Sequence, residues 1–216
     1  MPSIEGLIAE IESEARLVGH TTGRPKLSDR VLDALRRTDR AAFMPQAAAH
    51  ALQNTAYPIG HGQTISQPFV VALMTDLLDL KPMDRVLEVG TGSGYQAAIL
   101  ARLAADVFSI ERIAALSREA GQALAAAGLG NVHLRIGDGA AGWPEEAPFD
   151  AIIVTAAGTE VPPPLLAQLR APGRLVAPVG PAGAQDLLLV EKAADGAVHS
   201  RPVLPVAFVP LLGGTR

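Results

Sequence analysis

The chain has 216 residues, 49% hydrophobic and 19% charged, with a net charge of −4 and no cysteine. That length suits one domain of ~100–200 residues with a small appendage, able to bury roughly 70% of its unfolded surface without a covalent staple. Lack of cysteine excludes disulfides, thiolate metal sites and cysteine nucleophiles and favours a reducing compartment, while the acidic balance disfavours nucleic acid as a partner.

Met1 to Glu5 carries neither the basic region nor the apolar core of a signal peptide. The longest uncharged stretch, Ala41 to Thr75, is broken by Pro45, Pro58, Gly60, Gly62 and Pro68. No membrane span is expected, and the chain reads as cytoplasmic. Residues 1–80 read as a mainly helical extension. Ile4, Leu7, Ile8 and Ile11 recur at helical spacing, and Ser28 can cap a second helix bearing Val31, Leu32 and Leu35. From Gln53 to Ser66 the periodicity fails, and Tyr57-Pro58-Ile59-Gly60-His61-Gly62 reads as a loop. A helix then resumes, with Ser66 placed to cap it and Pro68 tolerated in its first turn.

Residues 81–180 alternate strand and helix. Strands are expected at Val86–Val89, Val107–Ile110, Val132–Ile136, Asp150–Val154 and Arg174–Val179, with helices at Tyr95–Leu103, along an alanine-rich run ending near Gly128, and around Leu165–Leu169. This alternation predicts an α/β fold with a doubly wound, mostly parallel sheet. Residues 181–216 differ: Leu187–Val190 and Val198–Leu204, joined through Asp195-Gly196, read as an antiparallel hairpin.

The sharpest local feature is Glu88-Val89-Gly90-Thr91-Gly92-Ser93-Gly94-Tyr95, a glycine turn between strand and helix. Such a turn lets a ligand approach the backbone at the carboxyl edge of the sheet. A dinucleotide fingerprint needs a third glycine where Tyr95 stands. Glu88 would repel a pyrophosphate but could hold an ammonium. Glu111 stands where an acidic residue takes two ribose hydroxyls, and Asp138 could accept from an adenine amino group. Carboxylates after three successive strands suit a ligand with an ammonium, a ribose and an adenine but no phosphate, namely S-adenosyl-L-methionine. A second feature is Gly60-His61-Gly62-Gln63-Thr64-Ile65-Ser66-Gln67-Pro68, whose Thr64 and Ser66 hydroxyls could address a carboxylate at a helix N-terminus, although helix capping alone also explains Ser66. His20, His50, His61, His133 and His199 show no metal-ligand spacing, no G-x-S-x-G elbow exists, and Trp143 reads as a packing or lid residue.

With these two motifs the chain resembles the protein-L-isoaspartate O-methyltransferase family over nearly its whole length. Gln96–Ala101, Val107–Arg112, Gly137–Gly139, Pro148–Ala157, Gly173–Gly180 and Phe208–Leu211 carry the resemblance further. It implies a single methyltransferase domain, S-adenosyl-L-methionine as donor with S-adenosyl-L-homocysteine as product, and isoaspartyl proteins and peptides as acceptors, with no nucleic acid, membrane, metal or obligate protein partner. The family's active-site serine falls on Ser66, with Gln63, Thr64 and Ile65 on the substrate side. Cofactor contacts fall on Glu88, Gly90, Thr91, Gly92, Glu111, Arg112, Asp138 and Gly139. The sequence departs from the family at Asn54, where many members carry aspartate, at Ala56-Tyr57 in place of Pro-Leu, and at Gly158-Thr159, where further proline is commoner. Three other readings stay open: transfer to a different carboxylate, a catalytically silent adaptor, and an NAD-dependent oxidoreductase.

Overall fold

Residues 2–215 are described by the structure, a computed structural model. Helix α1 (Ile4–Thr22) starts at Ser3, whose hydroxyl accepts from the Gly6 N–H at 3.1 Å, and buries Leu7, Ile8 and Ile11. Helix α2 (Asp29–Arg36) is capped by Ser28 and buries Val31, Leu32 and Leu35, as the apolar spacing predicts. Two short 3₁₀ turns follow, Arg40–Phe43 and Pro45–His50.

The segment predicted as a loop is a small hairpin, with β1 (Tyr57–Gly60) antiparallel to β2 (Gln63–Ile65). Its turn residues His61 and Gly62 have φ of 53° and 71°, the left-handed pair that matches the twist of two short strands. Helix α3 (Pro68–Leu77) follows. Its N-cap position is Gln67, which makes no side-chain cap, so the expected Ser66 cap is not formed. Instead the side-chain oxygen of Asn54 accepts from the Phe69 N–H at 2.9 Å. Proline at the first helical position has no N–H to offer, which moves the first donor needing a cap onto Phe69.

The rest of the chain is β3 (Arg85–Val89), α4 (Tyr95–Ala101), β4 (Asp106–Glu111), α5 (Ala114–Ala126), β5 (Val132–Ile136), β6 (Phe149–Val154), α6 (Pro163–Gln168), β7 (Leu169–Val179), β8 (Gln185–Lys192) and β9 (Val198–Val206). Strand β7 begins at Leu169, five residues earlier than expected, because α6 gives way directly to extended chain beside Phe149. The seven-stranded sheet runs β5-β4-β3-β6-β7-β8-β9; the first five strands named are parallel, and β8 and β9 are antiparallel. One sheet face packs on α1 to α4 through residues such as Val86, Ile153 and Leu187. The other packs Leu87, Phe108 and Ile152 against Leu165. Trp143 belongs to this second layer, edge-on to Phe108 at 5.7 Å, and is a packing residue.

Candidate active site

Strand order reverses beside β3, since β4 and β5 lie on one side of it and β6 on the other. The loop after β3 therefore opens at the switch point, where α/β sheets hold their ligands. Gly90 and Gly92 take φ of 98° and 53° there, and a Cβ on Gly90 would overlap the Thr155 hydroxyl, which donates to the Gly90 carbonyl at 2.6 Å. A cleft of ≈ 830 Å³, counting the space at its mouth, runs from this loop to Glu111 and out past Thr64 and Ser66.

Glu111 ends β4 on the cleft wall, only 6% exposed. Its two oxygens accept from the Gly92 N–H and the Ile113 N–H, each at 2.9 Å. Two backbone donors aim the carboxylate and leave a second lone pair on each oxygen for a ligand hydroxyl. Thr91, Arg112 and Gly139 also line the cleft, and a Cβ on Gly139 would overlap Val89.

Glu88 does not face the ligand space. It is fully buried beneath the loop, on the same side of β3 as Val86, and pairs in register with Ser109 on β4. Ser109 donates to one carboxyl oxygen, and its hydroxyl also lies 2.6 Å from that of Thr91. Burial, with the Glu111 charge adding, pushes the Glu88 pKa up to about 8, against the Ser109 hydrogen bond. The other Glu88 oxygen is buried with no partner among the described residues. A neutral carboxylic acid is the form that suits such a place. Asp138 is likewise engaged: one oxygen accepts from the Ala140 N–H at 2.9 Å and the other from the Gly214 N–H at 3.0 Å. As in Glu111, each oxygen keeps a second lone pair for a further donor, but Asp138 itself is not among the residues that line the cleft.

A second, wider groove of ≈ 1340 Å³ lies between α1, the β1–β2 hairpin and the chain after β9. Thr64 and Ser66 line both spaces, as do Thr155 and Val209. The Ser66 hydroxyl makes no hydrogen bond to the protein among the described residues, so it stands free at the junction. Gln63 and Ile65 line the cleft, Ile65 buried and Thr64 exposed.

A family model described as protein-L-isoaspartate(D-aspartate) O-methyltransferase matches residues 14–216. The chain belongs to this family. A relative named protein-L-isoaspartate O-methyltransferase 2, from Polaromonas sp., is 52% identical over 215 residues, covering 99% of both chains. A protein-L-isoaspartate O-methyltransferase from Anaeromyxobacter dehalogenans is 56% identical over 200 residues, 91% of this chain and 94% of the other. Among solved structures, a protein-L-isoaspartate O-methyltransferase superposes with a TM-score of 0.83 at 26% identity, over 98% of this chain and 66% of that one. A Plasmodium falciparum structure solved with S-adenosyl-L-homocysteine gives 0.80 at 24% identity, over 95% and 96%.

Several contacts around the cleft escaped the sequence reading. Arg112 sits on the cleft wall as expected, but its guanidinium donates to the Gly213 and Gly214 carbonyls at 3.4 and 3.3 Å. With Leu211 and Leu212 also lining the cleft, residues 211–214 run along the Arg112 side of the site. Thr155 closes the glycine loop from β6, and Asn54 reaches α3 from fifteen residues away. No periodicity signals such contacts, because each joins segments distant in sequence.

Proposed function

We propose that the chain transfers the methyl group of S-adenosyl-L-methionine to the free α-carboxylate of L-isoaspartyl residues in damaged proteins and peptides, giving an ester that collapses to a succinimide and initiates repair. One observation carries this reading beyond family membership. Thr64 and Ser66 line a narrow cleft at the sheet's switch point and also a wider groove able to take extended chain. A small donor and a peptide acceptor can thus meet at one hydroxyl.

The residues present fit the donor. The glycine loop allows close approach, Glu111 offers free lone pairs where a ribose diol would lie, and no phosphate-binding chemistry is needed. Gly90, Thr91, Gly92, Arg112 and Gly139 would line its site, and Glu88 would act from below by holding Ser109 and Thr91 under the loop. When bound, S-adenosyl-L-methionine supplies an electrophilic methyl on a sulfonium centre. An α-carboxylate ionises at ~3.3–3.7, so it is already a nucleophile at neutral pH and asks the chain for no general base. The work left to the protein is orientation and exclusion of water. Ser66 would donate to the acceptor carboxylate, with Thr64 and Gln63 beside it, while buried Ile65 anchors the strand that carries them. A modest hydrogen bond suits this task, because a tightly held anion would be stabilised in its ground state.

Damaged proteins and peptides are the partners this reading implies, and the cytoplasm is the compartment. Among the described residues no helix is long and apolar enough to cross a membrane. The acceptor test is direct. An isoaspartyl linkage sends the backbone through the side-chain carbon, so its free carboxylate stands one methylene nearer the main chain than that of an aspartate. A misplacement of about 1 Å costs on the order of 10²-fold in rate. Methyl transfer to an isoaspartyl peptide is expected to exceed that to its aspartyl twin by about this factor in kcat/KM. Comparable values would make the chain a general carboxylate methyltransferase instead.

A further inference from the structure

Arg40 is 3% exposed, on the 3₁₀ turn that follows α2. Among the described residues it forms no ion pair, so its charge is buried without a carboxylate. Its guanidinium instead donates to four backbone carbonyls. One terminal nitrogen bonds to Ala51 at 3.2 Å and Gln53 at 3.1 Å, and the other to Thr55 at 2.8 Å and Ser66 at 3.0 Å. The Nε is buried with no partner among the described residues, and the guanidinium lies 5.9 Å from the ring centre of Tyr95, the first residue of α4.

Burying a cation without a counter-charge is costly even when it is hydrogen-bonded, and a neutral side chain would fill the same space more cheaply. What only a guanidinium offers is a planar fork whose donors diverge at fixed angles, able to grip two chain segments at once. Here the segments are Ala51–Thr55, which carries the Asn54 cap of α3, and Ser66 itself. The Ser66 carbonyl is thus tied to the body of the protein, while its side chain stands free at the junction of cleft and groove.

We infer that Arg40 is a positioning residue for methyl acceptance, acting through the Ser66 carbonyl to hold the Ser66 hydroxyl where the two spaces meet. This rests on the methyltransferase reading above. Lysine keeps the charge but concentrates its donors at one point and cannot span both segments. Arg40→Lys is therefore expected to lower kcat/KM for an isoaspartyl peptide by about tenfold or more, in line with the sensitivity of rate to small displacements. S-adenosyl-L-homocysteine affinity, read by calorimetry, should stay within about twofold, since Arg40 touches neither Glu111 nor the Gly90–Gly92 loop. In a Ser66→Ala background the same change should have little further effect, because the two residues act as one unit. Equal losses in both backgrounds, or a parallel loss of S-adenosyl-L-homocysteine affinity, would overturn the inference.

Two further readouts keep the test independent of folding yield and of substrate. Replacing the Ser66–Gln67 amide by an ester weakens the carbonyl that Arg40 holds and removes the Gln67 N–H, which donates no hydrogen bond among the described residues, and should also slow transfer. Amide exchange across Gln63–Gln67 should rise in Arg40→Lys even if the acceptor proves to be another carboxylate. Unchanged exchange there would sink the positioning role whatever the substrate, whereas failure of the wild-type protein to methylate an isoaspartyl peptide would sink only the acceptor assignment.

Discussion

Glu88 carries the residue-scale consequence most open to measurement. Its carboxyl has an ordinary pKa of 4.5 and is raised to about 8 by burial in the fold. Below pH 4.5 it is neutral whether the chain is folded or not. Between 4.5 and about 8 the unfolded chain has lost a proton that the folded chain keeps, so this group's contribution to stability falls as pH rises. The slope is ~1.4 kcal/mol for each pH unit within that window. Glu88→Gln keeps the size and can still pair with Ser109, but has no proton to lose. Urea unfolding of the free protein at pH 5 and pH 8 should therefore show wild type losing stability relative to Glu88→Gln as pH rises. Parallel curves for the two proteins would mean that the buried carboxyl is not held neutral. Glu111, two residues beyond Ser109 at the end of the neighbouring strand, is held instead by two backbone N–H groups.

At the scale of elements, the start of α3 decides where Ser66 stands. Asn54 accepts from the Phe69 N–H at 2.9 Å and donates to Glu14 of α1 at 2.8 Å, and the Gln67 amide donates to the same carboxylate at 3.1 Å. One amide thus caps α3 and ties it to α1, a pair of roles an aspartate cannot fill beside Glu14 without bringing two acceptors together. Asn54→Ala should cost about 1–2 kcal/mol in chemical denaturation, as a lost cap does. Asn54→Asp should keep the cap yet be less stable than wild type at pH 7, because it sets an acceptor against Glu14 where the amide now donates. An unchanged stability in Asn54→Ala would return the cap to some other group. The β1–β2 hairpin shows the opposite balance of local and distant forces. Its strands are four and three residues long, too short for alternation to register in the sequence, and it is the left-handed His61-Gly62 pair that closes it.

Across the whole molecule, the legible features were those written in local spacing. The βα alternation, the glycine turn at its switch point and the late antiparallel hairpin all follow from periodicity over 4–13 residues, and they set the sheet order that opens the cleft beside β3. Gln63-Thr64-Ile65-Ser66 and Glu88–Tyr95 were legible as motifs, and the family match to residues 14–216 agrees with them. Illegible were contacts that bring remote chain together: Asn54 on α3, Gly214 on Asp138, and Arg40 on Ser66. The position of Glu88 was recoverable, since two residues beyond Val86 on a strand means the same buried face.

These scales converge on Ser66, the free hydroxyl shared by the cleft and the groove. Since it caps no helix, removing it should leave the fold and the donor side intact. The decisive measurement is Ser66→Ala, comparing kcat/KM for an isoaspartyl peptide with S-adenosyl-L-homocysteine affinity on the same protein. A rate reduced by about tenfold or more, as loss of a 1.4 kcal/mol orienting contact gives, with affinity and unfolding midpoint unchanged, is the expected result. A rate that stays at the wild-type value, or an affinity that falls in step with it, would contradict the account.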